Sequence, residues 1–144
     1  MSDSHINSNG PVVEQDSEFT FAKGIPGFQE VNKYVIVEYD NLFSVLQAVD
    51  QPEVGFIIVD PFQIYSDYQI ELPEEVINEL DITAENQVVI RNIVSWHKDP
   101  EKRTVNLVAP LVFNLVNHQA RQIILQNPAY MIRHPLQQSN LKGD

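Results

Sequence analysis

With 144 residues, the chain fits one domain that removes roughly two-thirds of its unfolded surface from water, so its core needs no disulfide or structural metal. It has no cysteine, which excludes disulfide frameworks, thiol catalysis and thiolate metal sites and suits a reducing compartment, the cytoplasm. The net charge of −11 is lopsided: residues 1–90 hold 2 basic and 17 acidic residues (−15), residues 91–144 hold 7 basic and 3 acidic (+4), which disfavours direct binding of nucleic acid and reads either as a solvated acidic surface or as docking of a basic protein partner.

Residues 1–16 are polar and carry too few apolar side chains to offset the entropy of ordering, so a flexible tail is expected there. Residues 18–23 alternate, with Phe19 and Phe21 on one side, and lead into Gly24-Ile25-Pro26-Gly27-Phe28. Two glycines around a proline predict a fixed bend that plugs Ile25 and Phe28 into the core, with one helical turn over residues 26–33. Residues 33–39, 43–49 and 54–59 are short runs rich in Val, Ile and aromatics, separated by Asp40-Asn41 and by Asp50-Gln51-Pro52-Glu53. They read as a meander of antiparallel strands. The longest apolar runs fall far short of a membrane span.

Asp60-Pro61-Phe62 stops the third strand, and residues 65–72 (YSDYQIEL) read as a fourth, with Tyr68, Ile70 and Leu72 opposite Asp67, Gln69 and Glu71. Residues 73–80 (PEEVINEL) are the one convincing helix. Pro73 suits its first position, Glu74 and Glu75 complement the dipole, and Val76, Ile77 and Leu80 form an apolar stripe. Residues 87–96 form a further strand and 97–103 a charged turn. Residues 104–116 alternate throughout, so one long strand is expected, bent at Pro110, which has no donor for a ladder. Residues 120–125 then return antiparallel, and hydrophobic matching favours a three-residue loop pairing Phe113 with Ile123 over a two-residue loop pairing Phe113 with Gln122. Residues 128–135 close the domain, and 137–144 read as a second flexible tail. About eight strands and a single helix predict a mainly β fold, a small antiparallel barrel or sandwich spanning residues 17–136.

The four histidines fall in the tail, in turns and in the closing segment, without the four-residue spacing of helical zinc motifs, so no metal or other cofactor is expected. No serine sits between nucleophile-elbow glycines, and the carboxylates Asp60, Asp67 and Glu71 are surrounded by tyrosines and turn residues. The aromatics Phe62, Tyr65 and Tyr68 beside those acids read either as core or as interface anchors. The stretch reads either as an exposed acidic face or as a recognition surface, for which Asp60, Phe62, Tyr65, Asp67, Tyr68 and Glu71 are the candidate residues.

The segments FTFAKGIPGF, FSVLQAVDQPEVGFIIVDPF, DYQIELP, KDPEKRTVNLVAPLVFN, ARQIIL and YMIRHPL, in that order, resemble the flagellar assembly factor FliW over residues 19–136. The resemblance implies a compact β-barrel-like domain, monomeric when free, without enzymatic activity and without membrane attachment. It also implies two mutually exclusive protein partners, flagellin and the RNA-binding translational regulator CsrA. In that family the regulator is bound away from its RNA surface and its RNA affinity falls allosterically, until accumulating flagellin takes the factor and frees the regulator to repress. The polar start over residues 1–10 is longer than the family pattern. A β-barrel binding a small ligand in its interior is the competing reading, distinguished by what fills the barrel.

Overall fold

A computed structural model describes Val13 and residues 17–136; both expected tails lie outside the described residues, except for Val13, which packs against the core. Nine strands are assigned: β1 (Glu18–Phe21), β2 (Lys33–Glu38), β3 (Phe43–Ala48), β4 (Gly55–Val59), β5 (Val88–Ser95), β6 (Thr104–Val105), β7 (Leu111–Asn114), β8 (Gln119–Gln122) and β9 (His134–Pro135). Going round the sheet, β4-β3-β2-β1-β8-β7-β5 are neighbours, and β4 also pairs with β5, so seven strands close into a barrel. β6 and β9 extend it as a flap from the far end of β5.

The meander β2-β3-β4 follows the predicted runs closely. Its first turn is fixed by Asp40, whose carboxylate accepts the N–H groups of Leu42 (2.9 Å) and Phe43 (2.8 Å). The glycine bend is also as expected in kind. Gly24 and Gly27 have φ of 68° and 89°, and Ile25 is buried beneath them, but Phe28, expected in the core, is 39% exposed and only meets the Phe56 ring edge-on (5.2 Å). The helical turn expected over residues 26–33 is instead a pair of tight turns joined by an Ile25–Phe28 bridge.

Several expectations are corrected. The barrel is not wholly antiparallel: β1 and β8 pair in parallel. Among the described residues there are two α-helices, not one. α1 (Pro61–Ile64) begins where a strand stop was expected, because Asp60 accepts the Phe62 N–H (3.0 Å) and Pro61 sits in the first turn. α2 (Glu74–Glu79) is the predicted helix, with Pro73 at its cap position and Leu80 just past its end. Residues 65–72 are not a strand. Their alternation is real, since Tyr68 and Ile70 are buried while Asp67, Gln69 and Glu71 are exposed, but no neighbouring strand offers them a ladder. A period of two reports an extended chain with one wet face; it does not report hydrogen-bonding partners.

Residues 104–116 are likewise broken. The Asn106 side chain accepts from Val108 N–H (2.9 Å) and Ala109 N–H (3.0 Å), bending the chain just before Pro110 and splitting β6 from β7. Neither expected register holds: Phe113 faces Ala120 and Leu111 faces Gln122. His118 adopts φ 60° and donates its N–H to the Asn114 carbonyl (2.8 Å), so four residues turn the corner. Large opposite small fills the narrow interior better than two large side chains would.

Two apolar clusters result. Inside the barrel, Phe113 meets the edges of Phe19 (5.0 Å) and Phe21 (5.7 Å), and Phe21 meets Tyr34 (5.4 Å). These rings, with Leu46, Ile58 and Leu111, fill the space that an interior ligand would require. The second cluster lies on the outer face of β5 and β7, where Val88, Ile90 and Val112 are covered by Ile64, Tyr68, Ile70, Val76 and Leu80 and by the closing segment with Ile123 and Tyr130. No helix among the described residues is long and apolar enough to cross a membrane.

Candidate partner-binding site

The candidate side chains all sit on the stretch that leaves β4 and crosses the outer cluster. Val59 pairs with Asn92, which brings Asp60 alongside Arg91. Asp60 is only 8% exposed: it caps α1, burial raises its carboxyl pKa, and the Arg91 charge and the Phe62 N–H partly offset that rise. Burial lowers the Arg91 pKa in turn, opposed by Asp60. Tyr68 is 3% exposed. Its hydroxyl donates to the Leu107 carbonyl (2.7 Å) and accepts from Asn92 Nδ2 (3.1 Å), and burial pushes its pKa far upward. Asp60 and Tyr68 therefore have almost no accessible surface, and instead support the segment around them.

Phe62 and Tyr65 are half-buried. The Phe62 ring lies 5.7 Å from Tyr68, and Tyr65 stacks on His134 (5.4 Å) with its edge toward Tyr130 (6.1 Å). Asp67 and Glu71 stand in solvent on one side of the extended chain, with Gln69 between them. The acidic rim continues into α2 through Glu74 and Glu75. Glu75 and Glu79 also engage Arg121 of β8.

Sequence reasoning missed the other half of this surface. Residues 69–74 and 124–127, with Tyr130, enclose a groove of about 760 Å³. Tyr130 ties its walls to the fold, its hydroxyl accepting from the Gln69 N–H (2.9 Å) and donating to the Gln69 carbonyl (3.2 Å). Ile123 is buried while Ile124 is 60% exposed. The signal was present in Ile123-Ile124-Leu125, because an extended chain cannot turn three consecutive apolar side chains to one core. A second apolar patch lies on the outer face of the meander, where Val37, Val45 and Ile57 align across three strands next to Tyr39 and Trp96, and Arg103 lies 3.5 Å over the Trp96 ring. Among the described residues, no three His, Asp or Glu side chains gather as metal ligands. The groove and its acidic rim can recognise; they assemble no nucleophile beside a base.

Comparison with known proteins agrees with this architecture. The model of the FliW protein family matches residues 5–136. Flagellar assembly factor FliW of Clostridium novyi is 42% identical over 125 residues, covering 85% of this chain and 87% of that protein. Its counterpart in Clostridium tetani is 37% identical over 131 residues, covering 90% of each. A crystal structure of the flagellar assembly factor FliW superposes with a TM-score of 0.81 at 32% identity, over 90% of this chain and 91% of that one. A family match across all the described residues, relatives at this identity and a shared barrel fold lead to one conclusion: the chain belongs to the FliW family of flagellar assembly factors.

Proposed function

We propose that this chain is a non-catalytic cytoplasmic factor that binds flagellin and the translational regulator CsrA in alternation, so that free factor relieves repression of flagellin synthesis and flagellin-bound factor restores it. Membership of the family supports the reading. The observation that carries it on this chain is the exposed acidic rim of Asp67, Glu71, Glu74 and Glu75, which suits a basic RNA-binding partner and sits on a well-anchored support. A domain of this size has limited room for two independent interfaces of roughly 800 Å² per partner, which favours overlapping surfaces and hence exclusion.

The test mixes the purified protein with CsrA and titrates in flagellin, following complexes by size-exclusion chromatography and calorimetry. Each partner alone is expected to co-elute with the factor, and flagellin is expected to displace CsrA without a ternary complex. A stable ternary complex, or no binding to either, overturns the proposal. The double variant Asp67→Lys/Glu71→Lys is expected to slow CsrA association and flatten its salt dependence while the fold persists. Unchanged association at both low and high salt would remove the acidic rim from the interface.

A further inference from the structure

We propose that the groove between residues 69–74 and 124–127 takes an extended, basic segment of a partner protein as an added β-strand. The inference deepens the reading of this face as partner-binding, and rests on it. It stands on main-chain chemistry. Beyond β8 the chain stays laddered on one side only: Ile123 N–H donates to the Pro110 carbonyl (3.0 Å) and Leu125 N–H to the Val108 carbonyl (2.7 Å). Alternate residues of an extended chain turn their peptide groups to opposite edges, so those of Ile124 and Gln126 face away from that ladder. Neither takes a hydrogen bond among the described residues.

The opposite wall is similar. Gln69 is held by the Tyr130 hydroxyl, but the N–H and carbonyl groups of Ile70, Glu71 and Leu72 take no hydrogen bond among the described residues. Extended edges with open donors and acceptors are templates for another strand, and partner proteins use them in this way. The groove's volume of about 760 Å³ has room for such a segment.

Charge and shape select the occupant. Glu71 and Glu74 line the groove and Asp67 lies just beyond, while the nearby cations Arg121 and Lys23 are engaged by Glu79, and Arg121 also by Glu75. Half-buried Leu72 and Leu125 and exposed Ile124 supply apolar contacts between the acids. A strand alternating apolar and basic side chains meets both. A second copy of this chain would bring acid against acid.

The probe is the capped octapeptide Val-Lys-Val-Lys-Val-Lys-Val-Lys, titrated into the intact protein at low salt by calorimetry. Saturable binding is expected, with at least tenfold weaker binding for the same peptide N-methylated at alternate residues and for its Val-Glu counterpart. Glu71→Pro removes a peptide donor that the fold does not use, and is expected to weaken the peptide at least tenfold with unchanged thermal unfolding. Should that variant unfold, the N-methylated peptide still decides, since it leaves the protein untouched. Equal binding of the N-methylated or the acidic peptide, no binding of the basic one, or a concentration-dependent dimer that the peptide does not displace would each overturn the inference. The two proposals fail separately. Wild-type protein that binds CsrA or flagellin undisturbed by excess peptide loses the strand site and keeps its function; protein that binds the peptide and neither partner does the reverse.

Discussion

Two buried tyrosines separate the two halves of this molecule. Tyr34 lies in the barrel interior among aromatic rings, with its hydroxyl lacking any partner among the described residues. Tyr68 lies in the outer cluster, and its hydroxyl joins the Leu107 carbonyl to Asn92, which in turn donates to the Asn106 carbonyl (2.7 Å). The interior is made by strands whose ladders already satisfy the backbone, so its side chains need only shape. The outer cluster is made by segments without ladders, which polar side chains pin down one carbonyl at a time. Asn114 does the same for the end of α2, donating to the Leu80 carbonyl (2.8 Å), while Gln87 donates to Asn114 Oδ1 (3.2 Å). Irregular backbone can carry a recognition surface only where such ties hold it, and the candidate groove lies over this second region.

The largest effect that would test this division is expected inside the barrel. Phe113→Ala removes a fully buried ring that Phe19 and Phe21 both contact, and should cost about 3–5 kcal/mol in denaturant unfolding. Next comes the bend that seals this interior. A Cβ at Gly24 would stand 2.5 Å from Gln29 Cα, whereas one at Gly27 meets nothing within 4 Å. Gly27→Ala should therefore cost about 1–2 kcal/mol from its positive φ alone, and Gly24→Ala distinctly more, read as two different falls in melting temperature. Tyr68→Phe leaves the Leu107 carbonyl and Asn92 short of a partner and should cost about 1–3 kcal/mol. The same change at Tyr34 should be neutral or stabilising by up to about 1 kcal/mol, since it deletes a buried hydroxyl that bonds to nothing described. Equal losses at the two tyrosines would erase the distinction between the regions.

The strands of the barrel were legible because alternation and turn residues agree there: the runs around Lys33, Phe43 and Gly55 become β2, β3 and β4 with little shift. The outer region was misread for a physical reason. Residues 65–72 have strand-like alternation because one side faces a core, yet their anchors are Tyr130, Asn92 and Leu107, whose proximity no local pattern encodes. Asp60 is a similar case: as an acid it resembled a surface contact, but the Pro61 that follows it makes it a helix cap. Asp67 and Glu71 were placed correctly in solvent by their period. The 124–130 wall of the groove was not found, because it comes from a part of the chain fifty or more residues away.

The parallel seam between β1 and β8 bears on when this protein becomes a barrel at all. Thr20 N–H donates to the His118 carbonyl (2.9 Å), His118 Nδ1 donates to the Glu18 carbonyl (2.8 Å) across a separation of 100 residues, and the His118 ring stacks on Phe19 (4.9 Å). During synthesis the β2-β3-β4 meander has its neighbours early, but the first strand waits for almost the last. Until His118 has emerged, the edge of β1 stays open and Phe19 lacks its lid. Closure is thus a late, non-local step, and before it β1 is paired along its β2 edge alone.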